Sequence, residues 1–94
     1  MCAKGYPNNY IKDSEIKNLP KIILNKDSQI FHAGTYEEKG KIYSSGGRVL
    51  NITSSSKVLS RARKNALSIL EKIHWVDGFY RRDIGWRAIK SKKI

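Results

Sequence analysis

Apolar residues at Leu59, Ala62, Ala66, Ile69, Leu70 and Ile73 recur at spacings of three and four, and Arg61, Arg63, Lys64, Asn65, Ser68 and Lys72 fill the opposite side. That period predicts one long amphipathic helix over about 57–73. Ser55 or Ser56 stands where a cap is wanted, but Lys57 and Arg61 occupy the first turn, where the helix dipole favours acids. The helix start is electrostatically poor. Elsewhere the apolar runs are short and punctuated by turn residues. Lys21 to Leu24 and Gln29 to Ala33 predict strands on either side of Asn25, Lys26, Asp27 and Ser28. Glu37, Glu38, Lys39 and Gly40 form a charged hairpin tip before Ile42 and Tyr43, the next turn is Ser44 to Gly47, and a strand follows from Arg48 to Thr53.

Trp75 to Tyr80 predicts a last strand broken by Asp77 and Gly78. Asp83 then stands as a cap for a short C-terminal helix, with Trp86 and Ile89 facing inward and a basic tail over 90–94. At the other end, Gly5, Tyr6, Pro7, Asn8 and Asn9 read as a turn. Only Met1 to Lys4 precede it, so the first strand is expected to be truncated. The predicted class is α+β: a mostly antiparallel sheet packed with one long helix and a short terminal one.

The chain has 94 residues, which is one domain's worth (1–94), and its 39% apolar content is enough to collapse. Cys2 is its one cysteine, which rules out an intramolecular disulfide and a cysteine metal cluster and fits a reducing compartment. No apolar run approaches the roughly 18 residues of a membrane span, and the N-terminus lacks a signal-peptide core, so no membrane association and a cytoplasmic location are expected. The formal net charge of +11 would attract phosphate-rich partners. It also fits a compositional bias that enriches Lys, Ile, Asn and Ser together. A nucleic-acid-binding module is therefore the weaker reading, since the aromatics fall at core-like positions and no RNA-binding motif is present.

The chemistry is sparse. A G-x-x-x-x-G-K-S/T loop and a dinucleotide-binding glycine pattern are absent, and the carboxylates are scattered. His32 and His74 lie on separate elements without a nucleophile at motif distance. No catalytic residue, metal ligand or cofactor bound by this domain alone is expected. Gly46, Gly47 and Arg48 stand out: glycines permit positive φ and close approach, and arginine presents a planar fork to phosphate or carboxylate. Those three residues fit an anion site, and they equally fit a hairpin turn followed by a solvated arginine. His32 either orients a ligand or completes a strand-end hydrogen bond. His74 is expected at the helix C-terminus, Arg81, Arg82 and Asp83 as a local ion pair with a cap, and Tyr80, Trp86 and Trp75 in the core.

Taken in order, GYP at Gly5 to Pro7, FHAGT at Phe31 to Thr35, GGRVLNIT at Gly46 to Thr53 and FYRRDIGWRA at Phe79 to Ala88 resemble the C-terminal domain of phosphoribosylamine-glycine ligase, also called glycinamide ribonucleotide synthetase. The resemblance implies the C-terminal domain of an ATP-grasp ligase, of the rudimentary single-hybrid type. The complete enzyme activates glycine with ATP and magnesium and couples it to 5-phosphoribosylamine in de novo purine biosynthesis. Nucleotide and metal would lie in the ATP-grasp portion, here expected as a separately encoded partner, and this domain would close the site. Arg48 is then the candidate contact for the phosphoribosylamine phosphate or ribose, Gly46 and Gly47 would allow close approach, and His32 and Thr35 would line the same wall. The sequence departs from the family where it lacks a full strand before GYP, and where Ser56, Lys57, Val58, Leu59, Ser60 and Arg61 replace a glycine, a cap and glutamates. Such departures suggest a split subunit, or else a non-functional remnant.

Overall fold

The computed structural model describes residues 1–19, 22 and 24–92. Short strands and two helices follow in the order β1 (Cys2–Ala3), β2 (Glu15–Ile16), β3 (Ser28–His32), β4 (Thr35–Glu38), β5 (Lys41–Ser44), β6 (Leu50–Ser54), α1 (Leu59–Lys72), β7 (Gly78–Phe79) and α2 (Trp86–Lys92). All pairings are antiparallel: β1 with β7, β3 with β6, and β2 and β4 on either side of β5. The class is α+β, with the strands divided among small sheets. Lys21 and Ile23 of the expected strand 21–24 and the end of the expected basic tail lie outside the described residues, Ile22 and Leu24 are in no strand, and 90–92 belong to α2.

The hairpin tip is tighter than its charge suggests. Glu37 and Glu38 extend β4, paired with Ile42 and Lys41, and only Lys39 and Gly40 turn, with φ of 53° and 78°. Two successive positive φ values are the geometry a two-residue hairpin needs to match strand twist. The core forms where α1 lies on β6: Leu70 and Ile73 meet Val49, Leu50, Ala3, Ile16 and Trp75. Val49, Leu50 and Ala3 are fully buried. Trp75 brings a polar indole N–H into this core. It donates to Ser14 Oγ at 3.0 Å, and Ser14 donates in turn to Asp77 Oδ2 at 2.7 Å, so the buried group is satisfied. Trp86, expected inward, is 41% exposed, because α2 presents its first residue to solvent.

Helix α1 is shorter at both ends than the apolar period suggests. Its N-cap is Val58, without a side-chain cap, and its first turn holds no acid. Ser56 reaches only the Val58 N–H, at 3.4 Å. At the other end Asn18 donates its amide to the Lys72 carbonyl at 2.7 Å. His74 does not perform that task; its backbone exchanges hydrogen bonds with Lys17 at 2.8 and 3.1 Å. Because Val58 is 40% exposed, replacing it costs little packing and supplies the missing acceptor. Val58→Asp is expected to raise unfolding free energy by roughly 1 kcal/mol, read from urea denaturation midpoints.

Candidate functional site

The motif blocks converge on backbone contacts. β1 runs between β7 and the segment before β6: Cys2 pairs with Phe79 on one side and bridges Arg48 on the other. The Ala3 N–H donates to the Gly47 carbonyl at 2.8 Å, which fixes the turn containing the two glycines. On the far side of that turn, Gly34 accepts from the N–H groups of Ser45 and Gly46 at 2.8 and 3.3 Å. A Cβ on Gly34 would stand 2.5 Å from the Arg48 carbonyl, so only glycine permits this crossing. The FHAGT and GGR blocks are therefore held together main chain to main chain.

Gly46 and Gly47 do not adopt positive φ; among the described glycines that conformation belongs to Gly5, Gly40 and Gly85. Gly47 is required for a different reason, because a Cβ there would overlap the Tyr6 ring of the GYP turn. Its neighbour within the protein, and not an open approach for a ligand, accounts for this glycine. Gly46 has ordinary room around its Cα.

Arg48 is exposed, and its guanidinium carbon stands 5.9 Å from the Tyr6 ring centroid. Among the described residues it is in no ion pair, so no carboxylate takes up its fork of donors. Two arginines of the C-terminal block are paired with carboxylates, and Arg87 stands over the Trp86 ring at 5.4 Å. Arg81 binds both oxygens of Asp83, at 3.1 and 3.0 Å, and Arg82 pairs with Glu71 at 3.2 Å while lying over Tyr80. The Arg81 hydrogen bond holds the Asp83 carboxyl below its usual range, and the same contact raises Arg81. That occupies the Asp83 carboxylate, so α2 begins instead with the Trp86 N–H on the Asp83 main-chain carbonyl, at 3.0 Å. His32 Nδ1 and Thr35 Oγ1 are 2.9 Å apart across the β3–β4 corner, forming a pair separate from the contacts of Arg48. Both residues lie in the FHAGT block, and their contact is the strand-end hydrogen bond that the sequence offered as one of two readings of His32.

Tyr6, absent from the sequence-level candidates, joins Gly47 and Arg48. The structure adds an apolar groove of about 770 Å³ beside them, bounded in part by Leu50, Ile52, Leu70 and Phe79. No group of three or more His, Cys, Asp and Glu among the described residues is placed to hold a metal, and no described helix is long and apolar enough to cross a membrane.

Residues 1–87 match the family described as phosphoribosylglycinamide synthetase, C domain. Over 93 residues the chain is 46% identical to the phosphoribosylamine-glycine ligase of Brucella melitensis, covering 99% of this chain and 22% of that protein. The chloroplastic ligase of Arabidopsis thaliana is 43% identical over 96 residues, with 100% and 18% covered. The crystal structure of the Thermotoga maritima ligase matches with a TM-score of 0.69 at 36% identity, over 87% of this chain and 19% of that one. The chain thus spans about a fifth of the length of the relatives it matches.

Met1 supplies a titratable group at the edge of this site. Burial holds its amine below the ordinary value near 8, against a smaller opposing effect of Cys2. While both folded and unfolded chains are protonated, the desolvated cation costs stability; that cost is relieved as pH rises from the lowered folded value toward 8. The thermal midpoint is expected to climb as pH rises toward 8 and to lose that climb on N-terminal acetylation, as measured by circular dichroism.

Proposed function

The chain belongs to the phosphoribosylglycinamide synthetase C-domain family, and from that premise we propose that it acts as the C-terminal part of phosphoribosylamine-glycine ligase, closing a site built mainly by an ATP-grasp portion. The carrying observation is the family match over residues 1–87, whose motif blocks meet around β1. The ligase joins glycine to 5-phosphoribosylamine at the expense of ATP in de novo purine biosynthesis, and for this chain we propose a cytoplasmic setting. Neither a nucleic-acid module nor a relic is favoured by that match.

We assign ATP and magnesium to the ATP-grasp portion: among the described residues no three His, Cys, Asp or Glu are grouped to hold a metal, and Asp83, Asp77, Asp13 and Glu71 are bonded to Arg81, Ser14, Tyr36 and Arg82. Arg48 is the residue suited to the phosphoribosyl substrate. It combines exposure with an unpaired guanidinium and is positioned by Cys2 and Tyr6. His32 and Thr35 form the adjoining polar wall. A proton on either His32 nitrogen leaves the ring able to bond Thr35 and still present its other nitrogen outward.

Mixing this chain with the separately purified ATP-grasp portion of a relative is expected to restore ATP- and glycine-dependent ligase turnover that neither component shows alone. Turnover by this chain alone, or none from the folded mixture, rejects the reading. In the active mixture, Arg48→Ala should raise KM for phosphoribosylamine about 10- to 100-fold, the loss of a charge-assisted hydrogen bond of about 1.5–3 kcal/mol. KM for ATP and for glycine should stay within about twofold, and the circular dichroism spectrum should be unchanged, since Arg48 is exposed. An unchanged phosphoribosylamine KM removes Arg48 from the site.

A further inference from the structure

Helix α1 carries a second face, turned away from β6. With Ile69 and Leu70 buried, the 3.6-residue period brings Arg61, Lys64 and Ser68 to the opposite side, and all three are exposed. Lys57 precedes this line and Lys72 ends it, and both are exposed. From Arg61 to Lys72 the line runs about 16 Å along the helix axis. Among the described residues none of these four cations is in an ion pair. The one acid of α1, Glu71, is held by Arg82 at 3.2 Å, so no carboxylate of the helix offsets them. Lys57 and Arg61 belong to the stretch 56–61 in which this chain departs from the family it resembles, and the ligase reading makes no use of them.

Beside this line the surface is concave. A hollow of about 440 Å³ between α1 and α2 is lined by Leu67 and Ile89, with Ser60, Arg63 and Lys64 around them. Ser68 lines it too, and also lines a second hollow of about 110 Å³ that adds Asn25, Asn65 and Lys72. The cleft is fixed by polar bonds: Arg63 donates to the Arg82 carbonyl at 2.9 Å and Arg82 pairs with Glu71, which ties the segment leading into α2 to α1. We propose that this cleft is a docking surface for an acidic amphipathic segment of a partner protein, whose apolar side chains rest on Leu67 and Ile89 and whose carboxylates meet Arg61, Lys64 and Lys72. Charge complementarity requires an acidic occupant, and the cleft's lining selects protein over nucleic acid. Among the described residues no aromatic ring lines either hollow, so bases have no surface on which to stack, whereas Leu67 and Ile89 suit an apolar side chain. The amides and hydroxyl of Asn25, Asn65 and Ser68 bond polar groups of the segment at the Lys72 end.

The probe is the synthetic peptide acetyl-Glu-Glu-Leu-Glu-Glu-Leu-Leu-Glu-Glu-amide, titrated into the isotope-labelled full chain with amide shifts followed by NMR. Ser60, Lys64, Leu67 and Ser68 are expected to shift together and saturably, with affinity falling about tenfold between about 50 and about 300 mM sodium chloride. Lys64→Glu should weaken the peptide about tenfold, and Lys64→Gln by a smaller factor. Lys39→Glu, the same charge change at the exposed hairpin turn, should leave affinity within about twofold. A peptide with serine in place of each leucine should bind about fivefold more weakly. Equal losses in Lys64→Glu and Lys39→Glu assign the binding to net charge and overturn the surface. So does the absence of saturable shifts at low salt, or their location away from α1. Equal affinity of the leucine and serine peptides overturns the amphipathic occupant. Tighter binding of an oligothymidylate of the same charge gives the cleft to nucleic acid and overturns the proposal as well.

Discussion

The placement of β1 between two distant parts of the chain is the constraint on which the rest depends. Cys2 and Ala3 pair with Phe79 and Gly78 near the C-terminal end, while Cys2 bridges Arg48 and Ala3 bonds Gly47 in the middle of the sequence. Each such backbone bond contributes only about 0.5–1.5 kcal/mol net. Their consequence is larger, because they close long loops at one place and bury Ala3 completely. Without that seam, β7 would have no described partner strand and the Gly46–Gly47 turn would lose an anchor.

The seam also determines what the exposed side chains can do. Tyr6 packs over Gly47 and lies beneath Arg48, so a residue without a Cβ in the turn is the condition for an arginine held above an aromatic ring. Gly34 performs the equivalent task on the other side, letting the His32–Thr35 corner approach the Arg48 main chain. The net charge of +11 says little about this arrangement. Arg81, Arg82 and Arg63 are spent on Asp83, Glu71 and a main-chain carbonyl, whereas Arg48 is held by ring and backbone alone.

Helix α1 was legible because six apolar positions at a 3.6-residue period report one buried face directly, and β3, β5 and β6 because alternation and turn residues bracket them. The failures have physical causes. Trp86 reads as core by hydrophobicity, yet a terminal helix with few partners leaves it exposed. Serines at 55 and 56 read as caps, yet α1 starts after Val58, out of reach of a good side-chain bond. The roles of Gly46 and Gly47 were open in the sequence because a glycine required by positive φ and one required by a neighbouring ring look the same there. Tyr6 lies some forty residues from Gly47 and carries no local pattern that announces the contact.

That last difficulty explains the character of the candidate site. The blocks GYP, FHAGT and GGR resemble a known family, yet most of what they supply is shape: two places where only glycine lets ring or main chain pass, and a turn pinned by Ala3. Chemistry rests on few side chains, with Arg48 and the His32–Thr35 pair standing on that frame. On the function proposed above, such an arrangement finishes a site whose larger part the ATP-grasp portion builds. It holds one cation and one polar corner in fixed positions, while Asp13, Glu71, Asp77 and Asp83 are each tied into a local bond.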